Sequence, residues 1–173
     1  MNEDPPRSDE IVPASVIQAA LERLAREITA RLAHSNPLVI TVMNGGLVFA
    51  GQLLPRLGFS LECSYVHVRR YGAGTEGGEL VWIAGPQEPV KGRTVLLLDD
   101  ILDEGRTLAT IRERLLELGA TEVLTAAFAV KERAHPAAIT ADFAGVHVPN
   151  RFVFGFGMDV AGRWRNLPSI RAL

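Results

Sequence analysis

The chain has 173 residues, of which 47% are hydrophobic, and a formal net charge of −2 at pH 7. This length suits one domain with a sizeable core and is short for two. The near-neutral charge argues against a nucleic-acid-binding or membrane-surface protein, and no apolar run is long enough to span a membrane. The single cysteine, Cys63, excludes an intrachain disulfide, and its apolar, strand-like surroundings predict that it is buried. These features predict one cytoplasmic domain.

The first elements follow from polarity and helical spacing. Residues 1–12 are mostly polar and contain two prolines, which predicts a disordered tail before a domain that covers residues 13–173. After Pro13, apolar residues recur at the spacing of one helix face, and Asn36-Pro37 ends this helix. The residues on that face are Ile17, Leu21, Leu24, Ile28 and Leu32. Residues 38–43 then predict a buried strand.

The next segment contains turns rich in glycine. Asn44-Gly45-Gly46 leads into a second helix that is predicted to run through Leu57, and residues 61–68 alternate as a strand does. Residues 72–78 form a glycine-rich loop before a short strand at 80–83. Its G-x-G-x-x-G pattern leads into a strand, which excludes a dinucleotide-binding turn. With Arg69, Arg70 and Tyr71 at its base, the loop is predicted to be a lid over an anionic substrate, the alternative being a surface hairpin.

The central motif joins a strand to a helix through acidic residues. Residues 95–98 are aliphatic at every position, as in a parallel strand buried on both faces, and Asp99 and Asp100 follow directly. Two adjacent carboxylates make sense there only if they face hydroxyls, a cation or a basic group. The turn at residues 103–107 precedes a helix, so its backbone N–H groups form a cradle for phosphate. Asp103 is also a helix N-cap candidate.

The helix after this turn and the strands that follow complete one domain. Leu108, Ile111, Leu115 and Leu118 repeat at helical spacing, and Gly119 is a plausible C-cap. Residues 123–130 predict a strand that ends at Lys131, and residues 152–156 predict a last strand. Strands that alternate with helices predict a single α/β domain with a mostly parallel sheet and right-handed crossovers.

Two of these motifs resemble those of the type I phosphoribosyltransferases. The apolar run, the two acids and the turn resemble the family's phosphoribosyl-pyrophosphate signature, although Glu104 stands where the family more often has a small hydroxyl residue. Residues 42–46 resemble the pyrophosphate loop of the hypoxanthine-guanine enzymes, which implies a cis bond between Met43 and Asn44. The resemblance implies a twisted, mostly parallel central sheet flanked by helices, with a small C-terminal hood.

The C-terminal third resembles the 6-oxopurine enzymes in particular. The resemblance implies that Lys131 donates to the purine O6, that Phe152 stacks on the base and that Val153 contacts the base edge through its backbone. It also implies that Asp159 helps to hold magnesium and lies at the purine site, and that Arg165 contacts pyrophosphate. The alternatives are that Lys131 only ends a strand in solvent and that Phe152 and Val153 only pack in the core.

The resemblance implies a purine-salvage enzyme that transfers the phosphoribosyl group from phosphoribosyl pyrophosphate to hypoxanthine or guanine. Asp103 would be the general base, and Mg²⁺ would be held at Asp99, Asp100 and Asp159. The implied phosphoribosyl-pyrophosphate site comprises Asn44, Gly45, Asp99, Asp100, Asp103, Glu104, Gly105, Arg106, Thr107 and Arg165. The protein is not expected to bind nucleic acid or a membrane. It is expected to form a homodimer or a homotetramer. A phosphoribosyltransferase for xanthine or a pyrimidine, and a nucleotide-sensing regulator on the same fold, remain alternatives.

Overall fold

The computed structural model describes residues 4–71 and 79–173. The elements are β1 (Asp9–Val12), α1 (Ala14–Leu32), β2 (Leu38–Met43), α2 (Gly46–Leu53), β3 (Glu62–Tyr71), β4 (Glu79–Ala84), β5 (Thr94–Leu102), α3 (Arg106–Glu117), β6 (Glu122–Lys131), β7 (Phe143–Val148), β8 (Val153–Phe154) and β9 (Ile170–Ala172). No helix in these ranges has both the length and the apolar character needed to cross a membrane.

The main sheet has the strand order β4-β3-β2-β5-β6-β7. Strands β3, β2, β5, β6 and β7 are parallel to their neighbours, whereas β4 returns antiparallel to β3. The predicted α/β class with a mostly parallel sheet is therefore confirmed. The carboxyl ends of β2, β3 and β5 consequently lie side by side at one edge, the position at which open α/β sheets bind ligands.

Helices cover the sheet on both faces, which explains why residues 95–98 are apolar without alternation. Leu96 and Leu98 belong to the core beneath α1 and α2, whereas Val95 and Leu97 belong to the core beneath α3. All four are fully buried. Because successive side chains of a strand point to opposite faces, a strand between two cores must be apolar at every position.

A second, three-stranded antiparallel sheet forms the hood, in the order β1-β9-β8. The prediction of a disordered tail through residue 12 is therefore wrong for Asp9–Val12, which pair with the last strand. Val12 is 5% exposed, and Arg171 donates to the side chain and the carbonyl of Ser8. Polarity alone suggested disorder, but pairing with a distant strand orders the segment.

Three further predictions need correction. The strand expected at residues 152–156 is limited to Val153–Phe154, because the chain turns at Gly155, whose φ is +93°. Helix α2 ends at Leu53 rather than Leu57, and a 3-10 turn that contains Pro55 follows it. Cys63 is exposed, because it shares a face of β3 with the exposed Tyr65 and the core beneath α1 and α2 includes no residue of β3.

Candidate active site

A cavity of about 550 Å³ opens where β2, β3 and β5 end. All ten residues predicted to bind phosphoribosyl pyrophosphate line it, and so does Asp159. The other lining residues are Val42, Met43, His67, Val68, Arg69, Ile101 and Leu108. The sequence motifs, which are far apart along the chain, therefore meet at one edge of the sheet.

The two adjacent carboxylates lie inside β5, not after it, because the strand continues to Leu102 and Asp99 pairs with Ala127 of β6. Asp99 and Asp100 are each 8% exposed, and the Asp100 N–H donates to Asp99 Oδ1 at 3.0 Å. Burial, and secondarily repulsion by Asp100, raises the pKa of Asp99 well above its ordinary value. Burial also raises the pKa of Asp100, although Arg165 partly opposes this. The pair is thus short of compensating positive charge.

The glycine turn after β2 packs directly against Asp100. A Cβ atom on Gly45 would lie 2.2 Å from Asp100 Oδ2, so only glycine leaves room for the carboxylate. The Met43–Asn44 peptide bond is cis, as the resemblance implied. Gly157 of the hood, with φ of +102°, comes so close to this turn that a Cβ there would lie 2.3 Å from the Gly45 carbonyl oxygen. The turn is therefore held between β5 and the hood.

The turn after β5 ends in a left-handed glycine that starts α3. Gly105, with φ of +74°, is the N-cap, and no side chain caps the helix. The Asp103 N-cap suggested by the sequence is therefore wrong. The Ala109 N–H donates to Gly105 O at 2.9 Å, which closes the first turn of the helix. Such a helix start offers hydrogen-bond donors and a positive dipole end to an anion.

Asp103 is held by two cations from the end of β6 and the loop after it. Lys131 Nζ donates to Asp103 Oδ2 at 2.8 Å, and Arg133 Nη1 donates to Oδ1. Partial burial would raise the pKa of Asp103, but the hydrogen bonds from these two cations outweigh it and leave that pKa lowered. Glu104 lies 3.3 Å from Arg106 Nε and 3.7 Å from Arg133 Nη2. Its charge is thus partly balanced beside the phosphate cradle.

A second cavity of about 350 Å³ adjoins the first through Asp100, Asp103 and Asp159. Its walls include the predicted purine residues Lys131, Phe152, Val153 and Asp159, together with Ile101 and Met158. Phe152 is 53% exposed, which contradicts the alternative that it only packs in the core. Lys131 is mostly buried, with 13% of its side chain exposed, which contradicts a solvated strand end.

Arg165 connects the hood to the acidic pair. Its Nη1 donates to Gly157 O at 2.5 Å and lies 3.9 Å from Asp100 Oδ2, and its Nη2 lies 2.5 Å from Asp159 Oδ1. Asp159 Oδ2 also accepts from the Gly162 N–H at 2.7 Å. Both oxygens of Asp159 are therefore engaged.

The three predicted magnesium ligands line one cavity but do not converge. In the described parts of the chain, no three His, Cys, Asp or Glu side chains come close enough together to hold a metal ion. Asp159 is instead paired with Arg165. The buried oxygens of Asp99 and Asp100 still fit a hard cation that takes few protein ligands and keeps waters.

Several lining residues were not predicted from the sequence. His67 reaches the cavity because β3 is parallel to β2, with Met43 opposite His67, a register that patterns within one strand do not give. Arg69, which the sequence placed only at the base of the lid loop, lines the cavity too. Arg133 lies in a loop and carried no motif. The backbones of Arg70 and Tyr71 lie in β3, paired with β4, whereas the predicted lid loop at 72–78 lies outside the described residues.

The chain matches the family described as phosphoribosyl transferase domain over residues 8–161. A bifunctional protein TilS/HprT of Listeria innocua is 38% identical over 164 residues, which are 94% of this chain but 25% of that protein. The chain thus spans about a quarter of the length of that bifunctional relative. A hypoxanthine-guanine phosphoribosyltransferase of Bacillus subtilis is 34% identical over 94% of this chain and 91% of its own length.

Solved structures agree with the sequence relatives. A hypoxanthine phosphoribosyltransferase from Staphylococcus aureus superimposes with a TM-score of 0.90 at 27% identity, covering 95% of this chain and 90% of that one. A hypoxanthine-guanine phosphoribosyltransferase from Bacillus anthracis gives 0.89 at 25% identity, covering 95% and 98%. The sheet and the hood are thus those of a known fold, and the chain belongs to the hypoxanthine-guanine phosphoribosyltransferases of the type I phosphoribosyltransferase family.

Proposed function

We propose that this protein transfers the phosphoribosyl group from phosphoribosyl pyrophosphate to hypoxanthine or guanine, giving IMP or GMP and pyrophosphate. The observation that carries the proposal is the pair of adjoining cavities, which share Asp100, Asp103 and Asp159. One cavity has a phosphate cradle and the other has a lysine and an aromatic ring. Such a division suits a reaction that joins a sugar phosphate to a flat base.

The larger cavity suits phosphoribosyl pyrophosphate. The start of α3, with Gly105 and Thr107, would bind the 5′-phosphate through backbone donors. Asp99 and Asp100 would orient the ribose hydroxyls, and Asn44, Gly45 and Arg165 would face the pyrophosphate. Mg²⁺ would be held at Asp99 and Asp100, where it would neutralise charge on the departing pyrophosphate. Asp159 would act through its ion pair with Arg165.

The smaller cavity suits a 6-oxopurine. Phe152 presents an exposed ring for stacking, and Lys131 offers an ammonium group with donors but no acceptor. Its Nζ lies 2.8 Å from Asp103, so the donor for the purine O6 and the base for the N7 proton stand side by side. A 6-oxopurine presents this acceptor and this proton on one edge.

The reaction itself needs no protein nucleophile. The bond between the anomeric carbon and a pyrophosphate oxygen breaks, the bond to purine N9 forms, and the N7 proton passes to Asp103. Positive charge would develop on the sugar in an oxocarbenium-like transition state, and the buried carboxylates Asp99 and Asp100 would stabilise it. The two cavities contribute mainly by holding both substrates in a reactive orientation.

The test is kcat/KM with hypoxanthine, guanine, xanthine and adenine, for the wild type and for Lys131→Met. Hypoxanthine and guanine should react, whereas adenine presents an amino group to Lys131 and should be rejected by up to about 10⁴-fold. The Lys131→Met variant should lose much of this preference. Equal use of adenine and hypoxanthine by the wild type would exclude the 6-oxopurine assignment.

Assembly and location are part of the same proposal. The protein is expected to be a homodimer or homotetramer, and light scattering of the purified protein measures the mass directly. A monomer under assay conditions would contradict this part. The cytoplasmic location stays a prediction, which cell fractionation tests.

A further inference from the structure

Both carboxylate oxygens of Asp103 are occupied, and by different residues. Lys131 binds Oδ2, and Arg133 binds Oδ1. The two cations differ in their position relative to the cavities. Lys131 lines the smaller cavity, whereas Arg133 lines neither of the two. Arg133 thus contacts Asp103 without being part of the wall of either cavity.

Purine binding would affect these two contacts differently. If the proposed function is correct, Lys131 turns its ammonium to the purine O6 and leaves Oδ2 free on the pocket side. A carboxylate held at one oxygen by a second cation cannot easily rotate when the first withdraws, because guanidinium hydrogen bonds are directional. The contact from Arg133 would therefore keep Oδ2 aimed at the base.

We propose that Arg133 is a positioning residue that fixes the plane of the Asp103 carboxylate, so that the oxygen released by Lys131 faces the purine N7 proton. This inference rests on the proposed function, since it requires Asp103 as the base and Lys131 as the O6 donor. It assigns to Arg133 no contact with either substrate.

Arg133 is itself held in place. Glu104 Oε1 lies 3.7 Å from Arg133 Nη2, and Glu104 Oε2 lies 3.3 Å from Arg106 Nε. Glu104 thereby links Arg106 of the phosphate-binding turn to Arg133. This contact gives a structural role to an acidic residue that stands where the family more often has a small hydroxyl residue. The contact at 3.7 Å is long and half-exposed, so its loss should matter less than the loss of Arg133.

The other charged groups near Asp103 bear on any pH effect. Lys131 faces Asp103 from the end of β6, and Arg133 faces it from the loop that follows. Glu104 and Arg106 belong to the same turn as Asp103. Asp100 and Asp159 line the same cavities. Both cations lower the pKa of Asp103. The acid limb of the rate profile, where Asp103 becomes protonated, should therefore move to higher pH when Arg133 loses its charge.

The experiment measures kcat, both KM values and the pH profile with hypoxanthine for the wild type, Arg133→Gln, Arg133→Lys, Glu104→Gln and Arg114→Gln. Arg114 is the matched control, because its exposed pair with Glu117 on α3 lies outside both cavities. Arg133→Gln should lower kcat by about 10- to 100-fold, with KM for phosphoribosyl pyrophosphate nearly unchanged. Its acid limb should move up, and Arg133→Lys should restore much of both.

Four outcomes decide the matter. Unchanged kcat and acid limb in Arg133→Gln would overturn the inference, and so would a raised KM for phosphoribosyl pyrophosphate with normal kcat, which would indicate direct substrate binding. Unfolding midpoints show whether Arg133→Gln still folds. If it does not, Glu104→Gln must show a smaller decrease in kcat and a smaller upward shift of the acid limb. An inactive wild type overturns the proposed function as well, whereas an active one with an insensitive Arg133→Gln overturns this inference alone.

Discussion

At the scale of single residues, the acidic pair shows a conflict between stability and function. Asp99 is buried beside Asp100, and the pKa of Asp99 is raised well above its ordinary value by burial and by this repulsion. A carboxyl group whose pKa is higher in the folded than in the unfolded state loses stability as pH rises from the unfolded value through the folded one. At neutral pH the pair therefore destabilises the ligand-free protein.

Asp99→Asn should accordingly raise the melting temperature at pH 7, by about 2 °C or more, while it lowers activity. The change removes a buried charge and its repulsion but keeps the shape of the side chain. Calorimetry of the ligand-free protein measures the gain. The gain should shrink as pH falls through the raised pKa of folded Asp99 and disappear below the unfolded value of about 4, where the carboxyl group is protonated in the folded and unfolded wild type alike. A lower melting temperature of the variant at pH 7 would show that the charged Asp99 carboxylate stabilises the folded protein.

Asp103 behaves in the opposite way, because its two cations lower its pKa. Its contribution to stability is present above the unfolded pKa and is lost as pH falls through the folded value. Since 38% of the side chain is exposed, solvent screens this contribution and makes it small. The main consequence of changing Asp103 should therefore be kinetic.

Asp103→Asn should lower kcat by about 10²-fold or more, the usual scale for a general base, and change both KM values little. The amide keeps the size of the carboxyl but cannot accept the N7 proton. Steady-state kinetics with hypoxanthine, alongside the wild type, measure this. Near-normal turnover would remove Asp103 from the mechanism.

At the scale of elements, the turn between β2 and α2 depends on the absence of one side chain. Gly45→Ala would place a Cβ atom 2.2 Å from Asp100 Oδ2 and force that carboxylate to turn away. Because the obstacle is the end of a side chain, the fold should survive. We expect a loss of kcat/KM for phosphoribosyl pyrophosphate of about 10-fold or more, on the scale of a misplaced active-site group.

Gly51→Ala, within the helix α2 that follows this turn, is the control for Gly45→Ala. Nothing lies within 4 Å of a Cβ at Gly51, and alanine should stabilise the helix by about 0.5–1 kcal/mol without affecting activity. Unfolding and kinetics of the two variants separate a helix effect from a site effect. Equal activity of both variants would show that Asp100 needs no space from Gly45.

The elements that the sequence predicted correctly are those whose evidence is local. The helical spacing of α1 and the aliphatic run of β5 each contain their own signal. Gly119, predicted as the C-cap of α3, instead follows the C-cap Leu118 and has φ of +93°. Strands β1 and β9 were missed because they are short and pair with each other across the chain. Strand β7, whose apolar residues are interrupted by Gly145 and His147, was missed as well. The exposure of Cys63 could not be predicted either, since it depends on which face of β3 the helices leave uncovered.

At the scale of the whole molecule, the hood ties the first strand to the last and so supports the base pocket. Strand β9 lies between β1 and β8, and β8 begins at Val153, beside Phe152. Deleting residues 1–12 should therefore lower the melting temperature by about 4 °C or more, since it exposes the partners of the buried Val12. It should also weaken hypoxanthine binding, measured as KM.

A shorter deletion separates the strand from the residues before it. Removing residues 1–7 keeps β1 and Ser8, which accepts two hydrogen bonds from Arg171, and should leave stability and KM close to those of the wild type. If deleting residues 1–12 also left the melting temperature and KM unchanged, β1 would have no structural role, which is what a disordered tail at residues 1–12 would imply.

The candidate site was predicted well where a motif carries it and poorly where only the fold does. The acids of β5 and the turn at 103–107 were identified from residue types and their order, and Lys131 was identified from the family resemblance. The pairing of Asp103 with Arg133 was not, because the two residues come from different strand ends and Arg133 belongs to no recognisable pattern. Contacts between loops follow from strand order and register, which a single sequence specifies only indirectly.

The pairing of β1 with β9 also has a consequence for the order of folding. Asp9 pairs with Ala172, so nearly the whole chain must be synthesised before the hood can close, whereas β5 and β6 are joined by one helix. Closing the longer loop costs more entropy, and contacts that are distant in sequence form late. Pulsed hydrogen exchange during refolding should thus protect the amides of β5 and β6 before those of β8 and β9. An intermediate of this kind would bind a phosphate ester while its purine pocket still lacked a wall.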